Sequence, residues 1–326
     1  MPRFDLCLEE LRSYNPTVRE PEDFDAFWAA TLKESRSVDR SPVVVPYDAL
    51  LTGFDVFDVE FPGFAGDPVK AWFIVPAGTS SKLPTIVEFN GYGGGRGLPQ
   101  ERLVWPAAGY AYFFMDTRGQ GSAWGSGGET ADPFGAGPAS PGFMTKGIEH
   151  PSSYYYRRVF TDAVRAIDAV RTFEQVDSER ISVAGASQGG GIALAAAGLA
   201  EGLVAVMPDV PFLCHFERAV AMTDADPYNE IVRYLSVHRH LADRAFHTLS
   251  YFDGVSFAAR SSAPSLFSVG LLDPVCPPST VFAAHNNYKA PSNIEVYPYN
   301  EHEGGQAHHW RKQATWLAET LGNVAR

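Results

Sequence analysis

The chain has 326 residues, 26 of them Lys or Arg and 38 Asp or Glu, for a formal net charge of −12. Nucleic acid and anionic membrane surfaces are bound through clustered positive charge, so neither is an expected partner. Hydrophobic residues at 45% and aromatic residues at 13% exclude a disordered chain.

Three scattered cysteines, Cys7, Cys214 and Cys276, form no CxxC pair, so neither a zinc ribbon nor a disulfide framework is encoded. The segment from Met1 to Glu10 carries early acids and no apolar run, unlike a signal peptide. No stretch reaches the about 18 apolar residues of a membrane span. The expectation is a cytoplasmic chain in a reducing compartment.

The first forty residues read as helices outside the main sheet, with Phe24, Phe27, Trp28 and Leu32 at helical spacing after Pro21. The period then changes to two. Phe57, Val59 and Phe61 alternate with Asp58 and Glu60, Gly63 to Asp67 turns, and Val69 to Val75 returns as an antiparallel hairpin. From Pro84 the pattern is strand, loop, helix. Thr85 to Phe89 and Tyr110 to Met115 read as short apolar strands, and Tyr154 to Phe173 as a helix. Ile181 to Ala184 is a strand running into a small-residue helix from Gly189 to Ala200. Strands follow at Val204 to Met207, Ser265 to Val269 and Ile294 to Tyr297, and a last helix holds Trp310, Ala314, Trp316 and Leu317. Such alternation predicts an α/β fold: a mostly parallel twisted sheet with helices on both faces, preceded by the hairpin. We expect one domain over residues 1–326, with a helical extension over about 1–40 and insertions over about 121–153 and 212–260.

Gly185-Ala186-Ser187-Gln188-Gly189 sits between a strand and a helix, the setting of a nucleophile elbow. The glycines remove bulk beside a tight turn that lifts the Ser187 hydroxyl out of the sheet, next to a helix N-terminus. The serine needs a base, and the fold orders its residues Ser, then Asp or Glu, then His. His302 follows a late strand in Asn300-Glu301-His302-Glu303-Gly304-Gly305 and is the expected base, with His308 and His309 as runners-up. Asp273 ends the strand Ser265 to Val269 and is the expected orienting acid, ahead of Asp209. The oxyanion hole is expected from the backbone amides of Gln188 and Tyr92, the latter in Asn90-Gly91-Tyr92-Gly93-Gly94-Gly95. That loop lacks the GK[ST] ending of a phosphate cradle. His302-Glu303 has no second histidine at HExxH spacing, Cys276 reads as a packed thiol, and neither a metal nor a cofactor is expected.

With these parts placed, the chain resembles the acetyl xylan esterase/cephalosporin C deacetylase family of carbohydrate esterases, within the α/β-hydrolase superfamily. Arg118-Gly119-Gln120 is similar to its RGQ motif, Gly185-Ala186-Ser187-Gln188-Gly189 to its elbow, and His302-Glu303 to its HE motif. The resemblance implies Ser187 as nucleophile, Asp273 as acid, His302 as base, and Tyr92 and Gln188 as oxyanion donors. It also implies acetyl ester substrates, small acetylated sugars and cephalosporin C among them, and a homo-oligomer, a hexamer enclosing the active sites. Asn90 stands where relatives commonly carry His, and Lys146 where Arg is usual. Arg118 is expected to support the site through a forked ion pair with Glu303, with Gln120 beside it. Tyr92, Trp105 and Phe212 are the expected walls of a short acyl pocket. Two other readings remain: a peptidase, lactonase or longer-chain esterase on the same fold, and a non-catalytic binding protein on a hydrolase scaffold.

Overall fold

Apolar runs cut by Gly, Pro and polar turns become the strands of a single sheet. The computed structural model describes residues 5–135 and 137–322. The strands are β1 (Val43–Pro46), β2 (Phe54–Pro62), β3 (Pro68–Pro76), β4 (Leu83–Phe89), β5 (Ala111–Met115), β6 (Val176–Ala186), β7 (Leu203–Asp209), β8 (Ser265–Gly270) and β9 (Ser292–Tyr297). Their spatial order is β1-β2-β3-β5-β4-β6-β7-β8-β9. The pairings β1–β2, β2–β3 and β3–β5 are antiparallel, and the remaining pairings are parallel. The expected hairpin forms the middle of β2 and β3, with Phe57 opposite Phe73 and Phe61 opposite Val69.

Period two explains why the central strands are apolar throughout. In β5, Ala111, Phe113 and Met115 join one buried cluster, while Tyr112 and Phe114 join another on the opposite face. A strand covered on both sides needs no polar alternation. Helices Tyr155–Val170 and Gln188–Leu199 contribute to the first cluster, and helix Gln306–Thr320 contributes Leu317 to the second.

After a short helix over Leu8–Ser13, the next begins at Phe24, three residues later than Pro21 suggested, with Asp23 as its N-cap. It buries Phe24, Trp28 and Leu32, and the Trp28 indole donates to the Tyr251 carbonyl at 2.9 Å. Within 212–260 lie helices Phe216–Met222, Tyr228–Val237, Ala242–Leu249 and Gly254–Ala258, whereas the described residues of 121–153 form turns. Among the described residues no helix is long and apolar enough to cross a membrane.

Candidate active site

Ser187 stands alone between the end of β6 and helix Gln188–Leu199, at φ 57° and ψ −120°. A non-glycine residue in this region is strained by roughly 1–3 kcal/mol and persists only where its surroundings hold it. Here its N–H donates to the Asp209 carbonyl at 2.9 Å, and its own carbonyl accepts from Gly191 at 3.1 Å and Phe212 at 2.9 Å. The flanking glycines are required by contact. A Cβ on Gly185 would lie 2.4 Å from the Gly189 carbonyl group, and one on Gly189 would lie 2.1 Å from the Phe89 oxygen. The turn leaves Ser187 half-buried, with its hydroxyl free to meet a partner from another loop.

That partner is His302, whose Nε2 lies 2.8 Å from Ser187 Oγ. Its Nδ1 lies 2.7 Å from Asp273 Oδ2. Asp273 is fully buried, and its other oxygen accepts from the Val275 and Cys276 amides at 2.8 and 2.9 Å. The two supporting loops are stitched together. Leu271 and Leu272 donate to the carbonyls of Tyr297 and Asn300, each at 3.0 Å, and a Cβ on Gly270 would lie 2.1 Å from the Glu301 oxygen. Three side chains distant in sequence thus form one hydrogen-bonded line at the carboxyl ends of β6 and β8.

The Asn90–Gly95 loop approaches from β4. Asn90 ties it from within, donating to the Gly95 carbonyl at 2.6 Å and accepting from the Gly91 amide at 2.9 Å. Gln120 accepts from the Gly93 amide at 2.7 Å and donates to Gln188 Oε1 at 2.8 Å. The Tyr156 hydroxyl also reaches Gln188 Oε1, at 2.9 Å, so the Gln188 side chain is bound up in structure. Trp124, half-exposed, donates its indole N–H to the Tyr92 carbonyl at 2.7 Å. Its ring lies along Gly91 and Gly94, where a Cβ would come within 3.3 and 2.3 Å. Among the described residues, neither the Tyr92 amide nor the Gln188 amide donates a hydrogen bond to the protein. Asn90 therefore stands at the strand end as a loop tie.

The family model for acetyl xylan esterase (AXE1) matches residues 1–320. The chain belongs to the acetyl xylan esterase family. An acetyl xylan esterase from Paenibacillus sp. R4 is 37% identical, with a TM-score of 0.91 over 96% of this chain and 99% of that one. Acetyl xylan esterase 1 from Thermoanaerobacterium is 33% identical, with a TM-score of 0.90 over 97% and 99%. An acetyl esterase of Xylanibacter ruminicola is 27% identical over 307 residues, 88% of this chain and 64% of that protein, so this chain spans less than two thirds of its length. An acylaminoacyl peptidase of Pyrococcus horikoshii, 17% identical with a TM-score of 0.59 over 84% of this chain and 42% of that one, shares the fold alone. The architecture is that of the α/β-hydrolase fold.

Not every expected residue of this acetyl xylan esterase family member reaches the site. Arg118 makes no pair with Glu303. It is fully buried and holds Asp162 in a fork, with Nε 2.5 Å from Oδ2 and Nη2 2.8 Å from Oδ1. Asp67 and Asp132 lie 3.1 and 3.5 Å from its third nitrogen. Burial opposes its charge, but these carboxylates outweigh that and raise its pKa. Glu303 instead accepts from the Asn300 side chain and the Glu301 amide. Trp105 is no pocket wall. It lies in the second cluster, edge-on to Tyr110 at 5.6 Å and close to Trp310 at 5.3 Å, on the far face of the sheet. Phe212 is fully buried and edge-on to Tyr92 at 6.2 Å, so it backs the Tyr92 ring from beneath.

The runner-up residues found each other. His309 Nε2 approaches Asp209 Oδ1 at 2.9 Å, at an angle too bent for a good hydrogen bond, and its Nδ1 lies 3.0 Å from the Tyr297 hydroxyl. Gln313 donates to both Asp209 oxygens, at 2.9 and 3.1 Å. This set, in which His309 and Gln313 are buried and Asp209 and Tyr297 half-buried, fastens the last helix next to the His302 loop, while His308 is exposed. Cys276 is buried, and burial pushes its thiol well above the ordinary range. Asp273, Cys276 and His302 each offer one ligand atom within 4.8 Å of the others, but two of them already serve the hydrogen-bonded line, with which a cation would compete.

Sequence reading passed over Glu230, which accepts from the Tyr92 hydroxyl at 2.6 Å. It also passed over Trp124 and Phe143, which surround the same tyrosine. Each lies in an insertion, where no strand-end pattern marks it. Lys146 places its ammonium 4.2 Å from the centre of the Phe143 ring, a cation–π contact.

Proposed function

We propose that the protein is a serine esterase that removes acetyl groups from small acetylated sugars, xylo-oligosaccharides in particular, and from cephalosporin C-like acetyl esters. The observation that carries this reading is the line Ser187 Oγ, His302 Nε2, His302 Nδ1, Asp273 Oδ2, at 2.8 and 2.7 Å, in a chain of the acetyl xylan esterase family. In this mechanism His302 takes the proton from Ser187 as its oxygen attacks the acetyl carbonyl. The oxyanion is received by the undonated amides of Tyr92 and Gln188. His302 protonates the departing sugar oxygen, the acetyl group stays on Ser187, and a water activated by His302 releases it as acetate. Asp273 keeps the imidazole in the tautomer this requires and stabilises the imidazolium.

The Tyr92 ring is held in place by Phe143 at 5.5 Å and by Phe212 at 6.2 Å, and we take it as a fixed wall on the acyl side. That supports acetyl over long acyl chains and, with family membership, sets peptidase, lactonase and longer-chain esterase activity behind. We also infer a cytoplasmic location, one functional unit over 1–326, and a hexamer; the unpaired cysteines agree with a reducing compartment. The test is turnover of p-nitrophenyl acetate by the native protein and by Ser187→Ala. The native protein should be active and the folded variant inactive, and an active variant would remove the mechanism. A series from acetyl to butyryl esters should lose activity beyond propionyl. Acetylated xylose, xylan and cephalosporin C then separate the alcohol portions.

A further inference from the structure

The Tyr92 phenol is gripped from two sides by parts of the chain far from it in sequence. It donates to Glu230 Oε1 at 2.6 Å and accepts from the Phe143 amide at 2.5 Å. The second oxygen of Glu230 accepts from the Met144 amide at 3.0 Å. Glu230 comes from helix Tyr228–Val237, and Phe143 and Met144 from the earlier turn-rich insertion. Both insertions therefore meet the loop after β4 at a single phenol–carboxylate contact. The fit is close, since a Cβ on Gly142 would lie 2.1–2.2 Å from the Glu230 carboxylate.

The chemistry of the contact is unusual for packing alone. Glu230 is 3% exposed, and among the described residues no Lys, Arg or His lies within ion-pair distance of it. A buried carboxylate without a countercharge is destabilising unless hydrogen bonds hold it. Here burial pushes its pKa up, opposed by Tyr92 and the Met144 amide, with Asp226 adding to the rise and Arg233 opposing it. An apolar side chain of similar size would fill the space with less penalty. What the carboxylate adds is direction: two oxygens with two fixed donors define where the tyrosine ring must sit.

We propose that Glu230 is a positioning residue that acts through the Tyr92 side chain to aim the Tyr92 amide at the developing oxyanion. This rests on the reading above that the Tyr92 amide is an oxyanion donor. The loop contains Gly91, Gly93, Gly94 and Gly95, so its stiffness comes from its ties: Asn90 accepts from the Gly91 amide at 2.9 Å, and the Gly93 carbonyl accepts from the Gly121 and Ala123 amides at 3.2 and 3.1 Å. Among the described residues, the carbonyl of the peptide that carries the Tyr92 amide accepts only one bond, a long 3.3 Å one from Gly94. Trp124 fixes the peptide beyond Tyr92, and Gln120 acts at Gly93. These ties hold the backbone on either side, and the phenol anchor is the one that fixes Tyr92 through its own side chain; a donor is effective only when held within about 0.5 Å of its productive place.

The test compares the native protein with Tyr92→Phe, Glu230→Gln and the double variant. Tyr92→Phe removes one hydroxyl and leaves the ring. Glu230→Gln keeps the volume but puts an NH2 donor in place of one of the two oxygens, which separately face the Tyr92 hydroxyl and the Met144 amide. Each single variant should lower kcat on p-nitrophenyl acetate about 10–100-fold, short of the about 10²–10³ lost with a whole donor. KM should stay within about twofold. Reaction of Ser187 with a fluorophosphonate, whose phosphoryl oxygen takes the oxyanion's place, should slow by the same factor. The double variant should match the worse single variant instead of multiplying the two losses. A folded Tyr92→Phe protein with native kcat and native phosphonylation rate, or losses that multiply, would overturn the proposal. So would a lower melting temperature with kinetics untouched. Should Glu230→Gln not fold, Tyr92→Phe decides alone. Failure of the native protein on acetyl esters would instead remove the acetylesterase reading, and the phosphonylation rates would still decide the role of Glu230.

Discussion

Asp273 has almost no freedom at the scale of single residues. Its Oδ1 is taken by two backbone amides, which leaves Oδ2 alone for the imidazole. Asp273→Asn would keep the shape but not the polarity. If its oxygen satisfies the amides, its NH2 group faces His302 Nδ1 and drives the imidazole proton to Nε2, where it confronts the serine. We expect kcat to fall about 10⁴-fold, the magnitude of the equivalent change in a serine protease, with little change in thermal stability. A loss below tenfold in steady-state assays would show that Asp273 is not the orienting acid. Ser187, Asp273 and His302 were legible in the sequence because each is marked by a short local pattern at a strand end. Glu230 was not, because a glutamate on an amphipathic helix looks like a solvated face until its contact 138 positions away is known. Arg118 was misread for a related reason. A long side chain can reach many carboxylates, and those nearest, Asp67, Asp132 and Asp162, come from three separate segments.

Among elements, the central strands were readable because both faces are apolar. β1 was not. Its four residues are exposed throughout, so no alternation marks it, and Pro46 ends it. β6 begins at Val176, five residues before the apolar run, because Asp177 to Arg180 reads as a turn although Val176 pairs with Leu83. Trp105 was placed on the wrong face because a strand–loop–helix pattern does not tell which side of the sheet receives the next helix. The insertion over 212–260 has its own internal tie. Asp253 accepts from the amides of His215, Phe216 and Val255, joining the starts of helices Phe216–Met222 and Gly254–Ala258. Burial pushes Asp253 up to about 6, while burial and then Arg218 push His215 down to about 4 from 6.5. The signs oppose. His215 is neutral in the folded protein and takes up a proton on unfolding, so its contribution is full above about pH 6.5 and is lost as the pH falls toward 4. Asp253 contributes most below its unfolded value of 3.8 and loses that contribution as the pH rises through about 6. His215→Gln should therefore remove acid sensitivity worth on the order of 2 kcal/mol between pH 7 and 4, after allowance for solvent screening. Urea melts across that range measure it, and an unchanged slope would show that His215 is not the group responsible.

In the molecule as a whole, one sheet serves two separate buried clusters, and the hydrogen-bonded line sits at the carboxyl ends of its strands, where both insertions arrive. The fold class was legible because strand–helix alternation admits few topologies. The way the insertions close on the Asn90–Gly95 loop was not, because it depends on side-chain contacts between segments without periodicity. At the other boundary, β1 leaves Val43, Val44 and Val45 between 39% and 51% exposed on an edge strand. Such an edge invites pairing unless something covers it. The proposed hexamer predicts a light-scattering mass of six times the 35.5 kDa chain. A monomeric mass at micromolar concentration would remove it.

Trp124 has a consequence for how this protein can be watched. Of six indoles in the chain, it is the one exposed by 49%, and its N–H is bound to the carbonyl of Tyr92, whose amide is the proposed oxyanion donor. Its emission should be quenched from water more readily than that of the half-buried Trp310 and Trp316, and far more than that of the buried Trp28, Trp72 and Trp105, and should change colour when a ligand displaces solvent beside it. The protein thus carries its own optical gauge of site occupancy, with no dye attached.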